Sequence, residues 1–218
     1  MAEAQENTIQ VDIVSDVVCP WCVVGFRQLG QALALTGMRA ALRWHPFELN
    51  PQMPAEGENL REHLMGKYGI SEADSIAARK RLVDLGAELG FVFNFTDASR
   101  IVNTFQAHQL LDWAEEFGQQ TQLKQALFAA YFTNGLNVSD REVLLGIAGE
   151  TGLDADAARQ MLDSGERVER VRAHQRFWTE RGVSGVPTMV FAGKHAVSGA
   201  QGVDNYVRIL NHLAHEAA

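Results

Sequence analysis

Cys19 and Cys22 are the two cysteines of a 218-residue chain, and they share the stretch Ser15-Asp16-Val17-Val18-Cys19-Pro20-Trp21-Cys22. A thiolate is the nucleophilic form of sulfur, and the unpaired amide hydrogens and positive dipole end at a helix start favour it. A second sulfur one turn further along can attack a mixed disulfide formed at the first and release the bound partner. Thiol–disulfide exchange is the chemistry that suits this spacing. Pro20 stiffens the loop between the cysteines and Trp21 can shelter the reactive sulfur, so this dipeptide should tune how strongly the disulfide oxidises its partners. Asp16 acts against the thiolate, because a nearby carboxylate disfavours a second negative charge. It reads either as a solvated side chain at a strand end or as a tuning or proton-accepting group.

Other uses of the pair weigh less. A structural zinc site wants four ligands, and His45, His63, His108, His174 and His195 form no paired ligand spacing with the cysteines, so no metal is expected. Cysteines at a helix start are poor core filling, and a static disulfide suits a reducing compartment badly. The cysteine pair itself, rather than a bound cofactor, is the expected redox group.

Positioning that pair requires particular elements. Ile9, Val11 and Ile13 alternate, with Val14 behind them, which predicts a largely buried strand ending just before Cys19. Pro20 to about Leu35 reads as a helix with proline in its first turn, and Ala40 to Phe47 as a second strand. Beyond a loop carrying Pro51, Pro54 and Gly57 the pattern turns helical, with helices from Ser71 to Gly90, Ser99 to Phe117 and Thr121 to Thr133. A further helix starts at Ser139, where Ser139 and Glu142 have capping-box spacing. Shorter helices follow over Asp154–Leu162 and Gly165–Arg181. Val186 to Phe191 reads as a strand, His195 to Ser198 as its hairpin partner, and Val203 to His215 as a closing helix. That order predicts an α/β fold, a mixed central sheet flanked by helices and interrupted by a large all-helical insertion, with boundaries at 1–54, 55–175 and 176–218.

Composition excludes some functions. No segment approaches the apolar run of about 20 residues that a membrane span needs. A net charge of -8 without any basic run repels a phosphate backbone, so neither nucleic acid nor membrane is an expected partner. The start MAEAQENTIQ lacks the basic and apolar regions of a secretory signal, and a cytoplasmic protein is expected.

Cys19-Pro20-Trp21-Cys22 after the first strand, a helical insertion, and Gly185-Val186-Pro187-Thr188 before a late strand together resemble the thioredoxin superfamily. More closely, the chain resembles the DsbA family and its FrnE-like cytoplasmic members. Trp44-His45-Pro46-Phe47-Glu48-Leu49-Asn50-Pro51, Asn103-Thr104 with Ala107-His108, and Val197-Ser198-Gly199-Ala200-Gln201 extend the likeness over almost the whole chain. The resemblance implies a thioredoxin fold, Cys19 as attacking and Cys22 as resolving cysteine, and Pro187 as a cis-proline whose neighbour Val186 pairs with an extended substrate. It also makes Phe47, Asn103, His108 and Gln201 candidate borders of a substrate groove, although Phe47 reads first as core and His108 first as a helix-packing histidine held by a hydrogen bond. Val23-Val24-Gly25-Phe26-Arg27 stands where FrnE-like proteins often carry Tyr-Ile-Gly-Lys, which alters the surroundings of the site.

The implied activity is that of a protein disulfide oxidoreductase acting on cysteine-containing proteins or peptides, with glutathione as a candidate co-substrate. A glutathione-dependent transferase or isomerase, of the kappa-class or 2-hydroxychromene-2-carboxylate isomerase type, is the alternative within the superfamily. Cys22 distinguishes the two, since an enzyme that only stabilises a glutathione thiolate has no use for a resolving sulfur. A peptide-binding holdase with a vestigial redox site is a third reading, and exposed apolar residues on the insertion are candidates for a homodimer contact.

Overall fold

The structure, a computed structural model, describes residues 8–54 and 56–216. The polar segment 1–7, on which much of the expected cellular location rests, lies outside the described residues, as does Ala55 at the expected start of the insertion. Strand β1 (Thr8–Ser15) leads into helix α1 (Pro20–Thr36), and β2 (Arg39–Pro46) follows. The next elements are a short strand β3 (Glu58–Asn59), α2 (Leu60–Tyr68), α3 (Glu72–Glu88) and a short strand β4 (Arg100–Ile101). Helices α4 (Phe105–Ala114), α5 (Gln120–Phe128), α6 (Arg141–Glu150), α7 (Ala155–Ser164) and α8 (Val168–Glu180) continue the helical part. The chain returns through β5 (Thr188–Phe191) and β6 (His195–Ser198) to α9 (Val203–Glu216).

The expected mixed sheet is present, in the order β2-β1-β5-β6. β1 runs parallel to β2, with Ile13 opposite Trp44, and antiparallel to β5, with Val14 opposite Thr188. β5 and β6 close it as an antiparallel pair. The alternation that predicted β1 places Val11 and Ile13 fully inside. Helix α1 begins with Pro20, whose missing N–H is one the first turn leaves unpaired anyway, and ends at Gly37 with φ 69°.

Three local expectations change. The helix expected from Ser99 starts at Phe105, because Arg100 and Ile101 pair with β3 as a strand first. The helix expected from Ser139 is capped instead by Asp140, whose carboxylate accepts from the Glu142 and Val143 amides. Helix α2 has no counterpart in the sequence reading. It is short, carries Gly66 and shows little amphipathic pattern, and Asn59 caps it by accepting from the Arg61 and Glu62 amides.

Two apolar cores result. One gathers β1, α1, β5 and α9 around Ile13, Leu29, Phe191 and Leu210, and it recruits Leu82, Phe93, Phe128 and Phe132 from the helical part. The other lies among α4 to α7 around Leu110, Leu127 and Leu144. The segment before α1 is shared between them: Val17 and Val18 enter the helical core, whereas Cys19 and Cys22 belong to the sheet core. The cysteine loop is thereby pinned on both sides.

The second sequence block, Trp44 to Asn50, fastens the helical part to the sheet. The Gln120 side chain accepts from Trp44 N–H at 2.9 Å and donates to Trp44 C=O at 3.0 Å, continuing the ladder along the edge strand β2. Glu48 is held by Arg172 and Gln175 of α8, and the Trp44 indole donates to Thr121 at 3.0 Å.

Candidate active site

Cys19 is the N-cap residue of α1, at the end of the β1-to-α1 turn, and Cys22 lies one turn inside the helix. Both are free thiols. Cys19 is 3% exposed and Cys22 fully buried, so an incoming disulfide meets Cys19 first. Pro20 fixes the first helical residue and Trp21 is 38% exposed at the surface, with the Arg81 guanidinium 5.9 Å from its ring centre.

The Val186–Pro187 peptide is cis, and the Cys19 thiol donates to the Val186 carbonyl at 3.5 Å. α1 can approach this loop because residue 25 is glycine. A Cβ there would stand 3.2 Å from Pro187 Cγ and 3.5 Å from the Tyr206 hydroxyl. The loop continues into the sheet through Gly199 N–H, which donates to the Pro187 carbonyl at 2.7 Å, and through the Thr188 hydroxyl on Gly185 C=O.

Beneath the sulfurs lies a buried charged group. Asp16 is 1% exposed, which overturns its reading as a solvated strand-end residue. Its carboxylate accepts from Leu49 N–H at 2.8 Å and lies 3.2 Å from Nε2 of the equally buried His108. Burial alone would raise the Asp16 pKa, but the His108 hydrogen bond and charge, the Leu49 amide and Lys124 outweigh it and hold the carboxyl below its ordinary value. Lys124 is 1% exposed, its ammonium 5.3 Å from the Trp44 ring centre and 4.9 Å from that of Phe128. Burial presses its pKa down to about 8, against the pull of Cys22, Asp16 and Cys19.

The two thiols titrate as a pair. The hydrogen bond it donates to Cys22, then burial and the Cys22 charge, push Cys19 well above the ordinary thiol value. For Cys22, burial is outweighed by the hydrogen bond with Cys19, the charge of Lys124 and the Ser15 hydroxyl, and its thiol falls below that value. The surroundings therefore favour Cys22 over Cys19 as the sulfur that loses its proton first, and the two titrate as a coupled pair. Lys124 supplies the nearby positive charge that makes a buried thiolate tolerable.

A cavity of about 350 Å³ opens beside Cys19 and Val186, walled by α2, α3 and the chain around Phe95 and Tyr131. Val18, Pro20 and Trp21 line it. The other expected groove residues are elsewhere. His108 sits behind the sulfurs on Asp16, and Asn103 uses its side chain on Met53 C=O and the Phe105 amide. Gln201 braces the turn before α9 through Ser198 C=O and Asn205, and the half-buried Phe47 is not among the lining residues. Lys124 escaped the sequence reading although a signal exists: Gln120, Leu123, Lys124, Leu127 and Phe128 make one buried helix face that contains a lysine. Lys67, Ser75 and Arg79 of the cavity wall left no comparable mark.

Likeness to known proteins agrees with this geometry. A probable DsbA oxidoreductase, SCO1869 of Streptomyces coelicolor, superposes with a TM-score of 0.88 at 31% identity, over 95% of this chain and 90% of that one. A 2-hydroxychromene-2-carboxylate isomerase shares the fold with a TM-score of 0.69 at 18% identity, over 95% of this chain and 97% of its own. The cytosolic disulfide reductase DsbM of Pseudomonas aeruginosa shares it with 0.65 at 20%, over 95% and 99%. The family model of the DSBA-like thioredoxin domain matches residues 10–211, and with the cysteine pair at the start of α1 facing the Pro187 loop, this chain belongs to that family.

Proposed function

We propose that the protein is a thiol–disulfide oxidoreductase in which Cys19 attacks and Cys22 resolves. The observation that carries this reading is the stacking of the two sulfurs: a barely exposed thiol at the helix N-cap, coupled to a fully buried one in the turn beneath it. In the reducing direction, Cys19 passes its proton to the Cys22 thiolate and attacks one sulfur of a substrate disulfide, expelling the other as thiolate. Cys22, having lost its proton, then attacks the Cys19 sulfur, forms the internal disulfide and releases the second substrate sulfur. Two electrons pass from the dithiol to the substrate, and two protons follow. The oxidising direction is the same path reversed. The Val186 carbonyl beside Cys19 is placed to pair with the main chain of an extended cysteine-containing peptide.

DsbM is a cytosolic disulfide reductase whose structure has been solved with GSH. By analogy of fold alone, glutathione in the cytoplasm is the proposed redox partner here. The cavity's volume of about 350 Å³ also suits small substrates, which is what the isomerase alternative requires; a resolving cysteine directly under the attacking one is a feature that reading leaves unused. Equilibration in glutathione redox buffers, followed by alkylation and mass measurement, tests the proposal. A single two-electron transition, with a potential between about -120 and -270 mV, is expected. A glutathione adduct that accumulates on Cys19 in wild-type protein, rather than only in Cys22→Ser, would favour the isomerase type instead.

A further inference from the structure

We propose that the cavity beside Cys19 is a binding site for a low-molecular-weight disulfide, or its thiol, carrying carboxylates on an apolar body, with Arg79 and Lys67 receiving the carboxylates. The inference rests on the thiol–disulfide reading above and names its substrate class.

Charge is the first support. In a chain of net charge -8, the cavity wall contains Lys67, Arg79 and His63 and, among the described residues, no aspartate or glutamate. His63 is matched by Glu58 at 2.7 Å. Among the described residues Lys67 donates to neutral acceptors alone, Leu49 C=O at 2.8 Å and Asn50 Oδ1 at 2.7 Å. The Arg79 guanidinium donates to Thr96 C=O at 3.2 Å, with an Asp97 oxygen 4.0 Å away, and Arg61 adds like charge nearby.

Unpartnered polar atoms are the second. Among the described residues, the hydroxyl of Ser75, 1% exposed, has no hydrogen-bond partner, and neither Nε nor Nη2 of Arg79 has one. Ser75 and Arg79 are one turn apart on α3, on the face that also brings Ala78 and Leu82 to the cavity. Buried donors without acceptors carry a desolvation cost that an anionic acceptor removes, and guanidinium–carboxylate bonds are among the stronger ones available. The remaining wall is chiefly apolar, including Leu64, Leu82, Phe95 and Ile101. A volume of about 350 Å³ matches a small molecule, at the lower end of ordinary ligand pockets.

The reaction follows the balance already given. The Cys19 thiolate forms a bond to one sulfur of R–S–S–R and expels RS⁻; Cys22 then closes the internal disulfide and expels the second RS⁻. The dithiol is oxidised by two electrons, and the two thiolates take up the two protons it released.

Single-turnover rates of the reduced protein with four disulfides test this: dithiobis(nitrobenzoate), which carries two carboxylates, neutral dithiodipyridine, dicationic cystamine, and glutathione disulfide. Each rate is divided by that of the same reagent with free mercaptoethanol. The expected order is dicarboxylate above neutral above dicationic. Arg79→Met should slow the dicarboxylate about tenfold while changing the neutral reagent less than about twofold; the more exposed Lys67→Gln acts the same way more weakly and keeps the test independent of any folding defect in the arginine variant. Arg79 dependence with glutathione disulfide identifies an acidic peptide thiol as the source of the carboxylates, and dependence confined to the aromatic reagent an aryl thiol; either supports the proposal. Equal normalised rates for all charges, or equal slowing of all reagents in both variants, overturns it while leaving the oxidoreductase reading intact. Failure of every disulfide to react with Cys19 removes both.

Discussion

Nε2 of His108 lies 3.2 Å from Oδ1 of Asp16, and each side chain is no more than 2% exposed. This contact joins the helical part to the turn that carries the cysteines, three residues before Cys19. A carboxylate so deeply buried must be well satisfied, and the Leu49 amide adds the second hydrogen bond.

Asp16→Asn keeps the shape of that site and removes its charge. Folding depresses the Asp16 pKa below its ordinary 3.8, so its contribution to stability is full above that value and is lost as pH falls through the lower folded value. Urea unfolding should show the variant less stable by about 2 kcal/mol near neutrality, the scale of a charge-assisted hydrogen bond. The gap should narrow only below about pH 4. The same substitution should make Cys19 ionise more easily, because the Asp16 charge is one of the terms that raise it. A gap that stayed constant down to about pH 2 would show that Asp16 is not the titrating group.

Gly25→Val tests the packing of α1 on the Pro187 loop. The new Cβ meets Pro187 Cγ at 3.2 Å and Met189 Cε at 3.4 Å, so either the loop or the helix must yield. Overpacking of this kind costs about 1–3 kcal/mol. Exchange with peptide disulfides should slow more than alkylation of Cys19 by iodoacetamide, since the displaced loop carries the Val186 carbonyl. Equal slowing of both would locate the damage at the thiol instead.

The order of the four sheet strands, their mixed sheet and the strand-to-helix placement of the cysteines were legible because each rests on a local pattern: alternation in Ile9 to Val14, proline after Cys19, apolar residues around Thr188 to Phe191. Asp16 and His108 were legible as residues of interest, but not as partners, since 92 residues separate them and nothing local encodes the contact. The cavity was less visible still. Its cationic wall is divided between α2, whose weak amphipathic pattern hid it, and one face of α3, so its charge appears only when the helices are packed.

Gln120→Ala should separate structural from redox roles. The Gln120 amide satisfies both backbone groups of Trp44 on the edge strand, at 2.9 and 3.0 Å. Truncation leaves two buried groups unpaired, for a loss of about 2–4 kcal/mol. The denaturant midpoint should fall while the potential of the cysteine pair stays where it was. A shifted potential would mean that the edge contact also sets the position of Lys124, one turn further along α5.

Lys124→Met addresses the charge that makes the buried thiolate tolerable. Methionine fills similar volume between the Trp44 and Phe128 rings, and removal of the ammonium takes away both a desolvation cost and the attraction felt by Cys22. Thiolate in the reduced protein loses support, so the reduced form weakens relative to the disulfide and the potential becomes more negative, by about 30 mV for each tenfold change in the equilibrium constant. Alkylation at neutral pH should slow in parallel. Stability gives the second readout. Folding depresses the Lys124 pKa from 10.5 to about 8, so between those values the unfolded chain binds more protons than the native one. This lysine therefore makes the reduced wild type gain stability, relative to the variant, as pH rises through that interval. A more negative potential together with that relative gain assigns Lys124 a direct electrostatic role at the cysteines. An unchanged potential would reduce it to a packing residue, and the lowered pKa of Cys22 would then have to come from its hydrogen bonds with Cys19 and Ser15.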